Sequence, residues 1–201
     1  MDRKQFILRS TLAVFSLSTF GSVVKAANGE FIGDCDTTND ILGPFYRPNA
    51  PVRSDLSYAG LVGTRIELKG KVFKSDCVTP LHGALVEIWH CNPEGEYDTT
   101  TKDFKLRASW ITNEKGEYLF KTVLPGKYLN GELYRPAHIH YRVTEKNSQE
   151  LVSQIYFKGD PHITKDPWAS QAKAKLRILE ITPEDTRGNL TIHFDIYLKA
   201  K

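Results

Sequence analysis

The sequence predicts an all-β protein, an antiparallel β-sandwich with long functional loops and little helix. Three observations favour this fold: short segments rich in β-branched and aromatic residues, apolar and polar residues that alternate within several of them, and Gly, Pro, Asn and Asp between them. No segment has the pattern of a long amphipathic helix, and the best short candidate lies near residues 170–179. About six short strands joined by long loops are typical of a sandwich.

The predicted strands are read from these patterns, and the last of them is the clearest. From Ile192 to Leu198 every second residue is apolar, and Thr191, His193 and Asp195 fall on the other face. This alternation predicts a half-buried antiparallel strand. In chain order the predicted strands cover residues 65–74, 84–90, 118–123, 138–143, 151–157 and 190–198.

Residues 1–26 have the three parts of an export signal. A basic start is followed by an apolar run from Thr11 to Val24 and by a small-residue exit that ends at Ala26. The run is too short and too rich in Ser and Thr for a comfortable membrane span, so we expect cleavage after about Ala26 and no stable membrane anchor. The protein is then periplasmic or extracellular. Arg3 and Lys4 fit either a twin-arginine or a general secretory signal.

The predicted export signal, residues 1–26, also accounts for the formal net charge of +3. It holds four basic residues and one acidic residue, which leaves 23 basic and 23 acidic side chains in residues 27–201. A neutral body gives no reason to expect nucleic acid or anionic lipid as a partner. No linker, repeat or charge block divides residues 27–201, so they are expected to form a single domain.

The three cysteines, Cys35, Cys77 and Cys91, allow at most one intrachain disulfide. We expect it between Cys35 and Cys77, where it would tie an extended N-terminal arm to the first hairpin. Cys91 is expected to be a small buried side chain. The cysteine spacing contains no CxxC, which argues against a zinc or redox site built from cysteines.

The segment from Tyr134 to Val143 is the most informative in the chain. On a strand, His138 and His140 project from one face while Ile139 projects from the other, towards the core. Two imidazoles on one strand face can bind one metal ion, although each is also compatible with an ordinary hydrogen-bonded histidine. His-x-His serves zinc, copper and non-haem iron alike, so the other ligands must decide between these metals.

Two tyrosines in the preceding loops are candidate oxygen donors. Tyr97 ends the loop that follows the strand predicted at residues 84–90, and Tyr128 follows the turn at residues 124–127. A loop tyrosine is usually a packed aromatic residue whose hydroxyl is hydrogen-bonded. A phenolate, however, is a hard anionic ligand that suits ferric iron.

Six short motifs occur in one order along the chain and carry a family resemblance. Together they resemble the intradiol ring-cleavage dioxygenases, the group that contains protocatechuate 3,4-dioxygenase and catechol 1,2-dioxygenase, over roughly residues 38–198. The motifs are Gly43-Pro44-Phe45-Tyr46-Arg47, Pro80-Leu81-His82-Gly83-Ala84 running into Val86-Glu87-Ile88-Trp89, Gly95-Glu96-Tyr97, Pro125-Gly126-Lys127-Tyr128, Arg135-Pro136-Ala137-His138-Ile139-His140 and Gln154-Ile155-Tyr156-Phe157.

The resemblance implies one Fe(III) per chain, bound by Tyr97, Tyr128, His138 and His140. It implies cleavage of a catecholic ring between the two hydroxyl-bearing carbons, with both atoms of O2 entering a cis,cis-muconate-type diacid. In this family the tyrosinate that corresponds to Tyr97 leaves the iron and accepts a proton from the diol. The implied partners are a small catecholic substrate and O2, and the chain is also compatible with a homo-oligomer.

Two further residues match family positions near the substrate. Arg135 matches an arginine that stabilises carbanion character on the ring, and its ordinary alternative is an ion pair at the sheet edge. Gln154 matches a glutamine of the pocket wall, and its alternative is a plain hydrogen bond on a strand. Glu87 and Trp89 match positions expected to serve packing and loop support.

The sequence is also compatible with two other classes of protein. One is a non-catalytic β-sandwich module that binds aromatic or carbohydrate ligands, which predicts that iron ligands are missing. The other is a copper or zinc enzyme that uses His138 and His140, with Tyr97 and Tyr128 merely packed.

Overall fold

The structure is a computed structural model that describes residues 24–25, 31–32, 35–183 and 190–201. Apart from residues 24–25, the predicted export signal lies outside the described residues. No helix among the described residues is long and apolar enough to cross a membrane.

Short strands and two short 3₁₀ helices make up the regular structure of the described residues. The 3₁₀ helices cover Ile163–Lys165 and Ala172–Arg177. The strands are β1 (Val24–Lys25), β2 (Phe31–Ile32), β3 (Arg65–Phe73), β4 (Leu85–Trp89), β5 (Arg107–Ile111), β6 (Glu117–Val123), β7 (Tyr128–Asn130), β8 (Leu133–Arg135), β9 (His138–Thr144), β10 (Leu151–Phe157), β11 (Ile178–Leu179), β12 (Thr182–Pro183), β13 (Leu190–His193) and β14 (Ile196–Tyr197).

Two mixed sheets form a sandwich, which confirms the predicted fold class. The first sheet has the strand order β11-β10-β9-β4-β5, and the second is built around β3, which pairs with β6, β13 and β14. One apolar cluster takes residues from both sheets, including Ile88 and Ile139 from the first and Leu68 and Phe120 from the second. Burial of these two inner faces provides the main stabilisation of the fold.

The first five predicted strands are confirmed to within one residue at each end. Strand β5 and the small β7–β8 hairpin were not predicted. Strand β5 begins after a loop in which Phe104 and Leu106 have positive φ angles. This backbone conformation is uncommon for residues other than glycine, and the sequence pattern does not predict it. The 3₁₀ helix Ala172–Arg177 occupies the segment near residues 170–179 that was the best helix candidate.

The predicted last strand, residues 190–198, is wrong in its continuity and in part of its pairing. It is divided into β13 and β14, and both parts pair with β3 in parallel. On its other side β13 pairs with β12 in antiparallel, as predicted. Between β13 and β14 the Asp195 carboxylate accepts a hydrogen bond from the backbone N–H of Lys71 at 2.8 Å, in place of a strand partner. The apolar alternation is nevertheless kept, because Ile192, Phe194, Ile196 and Leu198 are all buried.

The disulfide predicted between Cys35 and Cys77 is confirmed, and Cys91 is free and buried. The bridge ties the start of the N-terminal arm, residues 35–50, to the turn that follows β3. Further along the arm, the backbone N–H of Asp40 donates to the carbonyl of Val152 on β10 at 2.9 Å. The arm therefore lies along the first sheet at β10, which pairs with β9, the strand that carries both histidines.

Candidate metal centre

The first sheet presents a row of side chains on the face that points away from the core. Trp89 on β4 lies opposite Arg107 on β5 and opposite His140 on β9, and His140 lies opposite Gln154 on β10. Residues directly opposite in antiparallel strands point to the same face. The strand register therefore places His140 between Trp89 and Gln154, with His138 two residues away on the same face.

The two tyrosines reach this face from chain segments that touch each other. The backbone N–H of Gly126 donates to the carbonyl of Asn92 at 3.0 Å. A Cβ atom on Gly126 would lie 2.1 Å from the carbonyl oxygen of Pro93, so only glycine allows this approach. Contact between the loop before Tyr97 and the turn before Tyr128 brings the two phenol rings to a centroid distance of 5.6 Å.

The four predicted ligands, Tyr97, Tyr128, His138 and His140, form one cluster. The Tyr97 hydroxyl lies 3.4 Å from Nε2 of His138. The ring centroids of His138 and His140 are 4.9 Å apart, and those of Tyr128 and His138 are 5.5 Å apart. The structure thus brings together all four side chains that the sequence singled out, from two strands, β7 and β9, and one loop.

Both histidines are held in the form that can bind a metal. Nδ1 of His138 donates to the carbonyl of Pro136 at 2.7 Å, which leaves Nε2 with its lone pair facing Tyr97. Burial, assisted by the charge of Arg135, lowers the pKa of His138 to about 3. Burial and the neighbouring His138 lower the pKa of His140 well below 6.5. Both rings are neutral at physiological pH.

The ring of His140 is fixed by packing, and its Nε2 atom is left without a partner. Trp89 stacks on it with a centroid distance of 4.9 Å and an interplanar angle of 7°. Nε2 of His140 is buried and finds no hydrogen-bond partner among the described residues. A buried imidazole nitrogen in this condition is costly unless a ligand uses it.

The tyrosine hydroxyls are also suited to bind a cation. Burial raises the pKa of Tyr97 well above 10, and it raises the pKa of Tyr128 against the opposing charge of Arg135. A bound cation would supply the positive charge that lets these buried phenols ionise. In residues 35–183 and 190–201, no three His, Cys, Asp or Glu side chains cluster as a metal site. The side-chain oxygen donors that lie beside His138 and His140 in this cluster are the hydroxyls of Tyr97 and Tyr128.

The resulting donor set, two neutral imidazoles and two phenolates, fits ferric iron better than zinc or copper. Hard anionic oxygen donors favour a hard, highly charged cation, and two of them neutralise part of its charge. The hypothesis of a copper or zinc site with merely packed tyrosines is not favoured by this arrangement. The hypothesis of a non-catalytic module predicted missing ligands, and all four are in place.

Arg135 and Gln154 lie beside the cluster and contact each other. Nη2 of Arg135 donates to Oε1 of Gln154 at 3.1 Å. The amide of Gln154 in turn donates to the carbonyl of Ile41 in the N-terminal arm at 3.0 Å. Arg135 also lies opposite Tyr128 in the β7–β8 hairpin. Arg135, predicted to act near the substrate with a sheet-edge ion pair as its ordinary alternative, is therefore buried beside the cluster and contacts Tyr128 and Gln154.

Several residues that support the centre were not predicted. Phe45 stacks on Tyr97 with a centroid distance of 4.2 Å. Asp40 accepts hydrogen bonds from Tyr156 at 3.0 Å and from Arg177 at 2.8 Å, and the Arg177–Asp40 ion pair is buried. Asp40 lies more than 100 residues from both of its partners, and Phe45 lies 52 residues from Tyr97, so local pattern gave no signal for these contacts.

Two basic side chains from the segments around the centre, Arg47 and Lys127, contact other groups. Arg47 donates to the carbonyl of Thr101 at 2.9 Å, and its guanidinium lies 4.4 Å from the ring centroid of Phe104. Nζ of Lys127 lies 4.5 Å from the ring centroid of Tyr134, on the hairpin beside the centre. Neither side chain is directed at the four-residue cluster.

Comparison with known proteins decides the family. Residues 41–200 match the family Dioxygenase_C, described as "Dioxygenase". The chain belongs to the intradiol ring-cleavage dioxygenase family. Among curated members of this family, catechol 1,2-dioxygenase of Acinetobacter baylyi is 36% identical over 180 residues, which cover 76% of this chain and 57% of the relative. Catechol 1,2-dioxygenase of Candida albicans is 31% identical over 167 residues, 72% of this chain and 55% of the relative.

This dioxygenase chain spans about half the length of the curated relatives it matches. A solved structure of similar extent is the dioxygenase domain of a dioxygenase and carbohydrate-binding fusion protein from Streptomyces sp. SirexAA-E. It superposes with a TM-score of 0.71 at 26% identity and covers 83% of this chain and 99% of that domain. The family fold is thus present within the described residues.

Proposed function

We propose that this chain is an exported Fe(III) dioxygenase that cleaves catecholic rings between the two hydroxyl-bearing carbons and inserts both atoms of O2. The observation that carries the proposal is the convergence of the Tyr97 hydroxyl and Nε2 of His138, 3.4 Å apart, beside the unpartnered Nε2 of His140. Tyr128 completes the set. Membership of the intradiol family supports the reaction type.

When bound by Tyr97, Tyr128, His138 and His140, ferric iron would act as the Lewis acid that activates a chelated diol towards O2. The protein supplies the environment for that chemistry. His138 and His140 are neutral donors whose orientations are fixed by the Pro136 carbonyl and by the Trp89 ring. Because these contacts exist before any ligand arrives, the donors need little rearrangement on binding.

Tyr97 is suited to move a proton. It belongs to a loop rather than to a strand, and the elevated pKa caused by its burial makes its phenolate a strong base. The hydroxyl oxygen of Tyr97 is therefore placed to accept a proton from one hydroxyl of an incoming diol. Phe45, stacked on the Tyr97 ring, limits the movement of that ring.

Arg135 and Gln154 act on the substrate ring rather than on the metal. A buried, fixed guanidinium stabilises negative charge that develops on a nearby ring, because little water screens it. Gln154 accepts a hydrogen bond from Arg135 and so helps to hold it. Since Arg47 and Lys127 are held elsewhere, we propose a diol without a ring carboxylate, of the catechol type, as the preferred substrate.

Oxygen uptake tests the proposal together with metal analysis. The purified protein should contain one iron per chain, show a red-brown tyrosinate band, and consume one O2 per catechol as an absorbing muconate forms. Catechol should give at least a tenfold higher kcat/KM than protocatechuate. Tyr128→Phe should bleach the band and abolish uptake, whereas the exposed ring of Tyr134, changed to Phe, is the matched control. A colourless, iron-free wild-type protein after native purification contradicts the proposal.

Export and a single domain over residues 27–201 are part of the proposal. The Cys35–Cys77 disulfide supports export, because disulfides persist mainly in oxidising compartments. Fractionation of cells followed by sequencing of the mature N-terminus tests it, with a start near Ala27 expected. Retention of the full-length chain in the cytoplasm contradicts it.

A further inference from the structure

Asp166 is a buried carboxylate outside the predicted ligand set, and it is the ion-pair partner of Arg135. Its Oδ2 atom accepts a hydrogen bond from Nε of Arg135 at 2.8 Å, and its Oδ1 atom lies 3.4 Å from Nη2. The exposed fractions are 1% for Asp166 and 3% for Arg135. The guanidinium is therefore held edge-on by two oxygens of one carboxylate, a geometry that fixes its plane.

The same carboxylate also shapes the loop that follows it. Oδ1 of Asp166 accepts hydrogen bonds from the backbone N–H groups of Trp168 at 3.0 Å and of Ala169 at 2.7 Å. These contacts place the Trp168 ring over the guanidinium, with Cζ of Arg135 4.3 Å from the ring centroid. One edge of the guanidinium thus meets Asp166, and one face meets an aromatic ring whose backbone Asp166 holds.

The Nη2 atom of Arg135, which contacts Asp166, also contacts residues beside the centre. Nη2 lies 3.1 Å from Oε1 of Gln154 and 3.5 Å from the hydroxyl of Tyr156, and the charge of Arg135 reaches Tyr128 and His138. Without Asp166, a buried cation would lose the only carboxylate it pairs with among the described residues. It would then rotate or recruit water, and its charge would no longer lie where the reacting ring needs it.

We propose that Asp166 is a positioning residue for ring cleavage, which fixes the guanidinium of Arg135 towards the bound diol and holds Trp168 against it. The inference rests on the proposed function. It assigns Asp166 no contact with substrate or metal, and its effect passes through Arg135.

The test is Asp166→Asn in the iron-loaded protein. Asparagine keeps one oxygen that can accept from the N–H groups of Trp168 and Ala169. Towards Nε of Arg135 it presents an amide NH2 group, which cannot accept a hydrogen bond. The tyrosinate band should persist, and the Kd for catechol titrated anaerobically should change less than threefold. The kcat in oxygen should fall by about 100-fold, the order found when one fixed electrostatic donor is removed.

Two variants complete the comparison. Asp166→Glu keeps the charge but moves it by one methylene, so its kcat should lie about tenfold below that of the wild type and above that of Asp166→Asn. Asp76→Asn is the matched control, because Asp76 also caps a loop, with hydrogen bonds from the N–H groups of Val78 and Thr79, but contacts no guanidinium. Its kcat should match that of the wild type.

A double-mutant cycle separates positioning from a general structural role. In an Arg135→Gln background the cation is absent, so adding Asp166→Asn should lower kcat less than threefold further. Equal losses from Asp166→Asn in both backgrounds would overturn the inference, as would a wild-type kcat in Asp166→Glu. If the wild type is active and Asp166→Asn is equally active, the role of Asp166 is overturned but the proposed function stands. If the wild type consumes no oxygen, the proposed function is overturned as well.

Discussion

Replacement of Gly43 by alanine is expected to damage the centre through a single contact. Gly43 has φ +72°, and a Cβ atom there would lie 2.9 Å from Cε1 of His140. Ordinary contact begins near 3.4 Å, so the imidazole must move by about 0.5 Å, yet Trp89 is stacked on its face. Active-site geometry tolerates displacements of about 0.5 Å poorly. We expect a loss of at least tenfold in kcat/KM, or about 1.4 kcal/mol.

Gly83→Ala is the matched control. Gly83 has nearly the same backbone angle, φ +76°, but a Cβ atom there meets nothing within 4 Å. Both variants bear the strain of a non-glycine residue in the left-handed region, about 1 to 2 kcal/mol of unfolding free energy. Only Gly43→Ala should also lower kcat/KM and iron content, measured by oxygen uptake and metal analysis. Equal activity and equal iron content in the two variants would refute the proposed contact with His140.

Two further predictions concern stability. Replacing Cys35 and Cys77 with serine removes a link between residues 42 apart and should lower the free energy of unfolding by about 4 kcal/mol, measured in denaturant against the disulfide-bonded wild-type protein. The reduced wild-type protein should behave like the variant. Burial lowers the pKa of His90 to about 4, so below pH 6.5 the unfolded state takes up the proton first, and stability should fall by about 1.4 kcal/mol per pH unit down to about pH 4. His138 and His140 add to this dependence in the iron-free protein, so His90→Gln should reduce the slope by about 1.4 kcal/mol per pH unit rather than abolish it, and an unchanged slope in pH-resolved denaturant titrations would contradict the burial argument.

Most of the strands, and the placing of both histidines on one face, were predictable because local pattern specifies them. Alternation located β3 and β10, and the His-x-His spacing placed both imidazoles on one face without knowledge of any neighbour. The parallel pairing of β13 and β14 with β3 was not predictable in this way. It depends on the Asp195 carboxylate replacing a backbone partner, a contact with Lys71 that spans 124 residues.

The support of the centre was equally beyond local pattern. Asp166 is an unremarkable acidic residue in the sequence, and only the folded chain shows that it pairs with Arg135, 31 residues earlier. Asp40 meets Arg177 across 137 residues. Such partners are chosen by the packing of loops onto the sheet, which sequence periodicity does not encode.

The row formed by Arg107, Trp89, His140 and Gln154 links the candidate metal centre to the register of the strands. Because consecutive strand residues face opposite sides, a slip of one residue in β9 would turn His138 and His140 into the core and Ile139 out of it. A slip of two residues would keep the imidazoles on the outer face but would move them relative to Tyr97 and Tyr128. If the proposed function holds, metal loading should therefore depend on strand alignment and should select correctly folded molecules from a mixture.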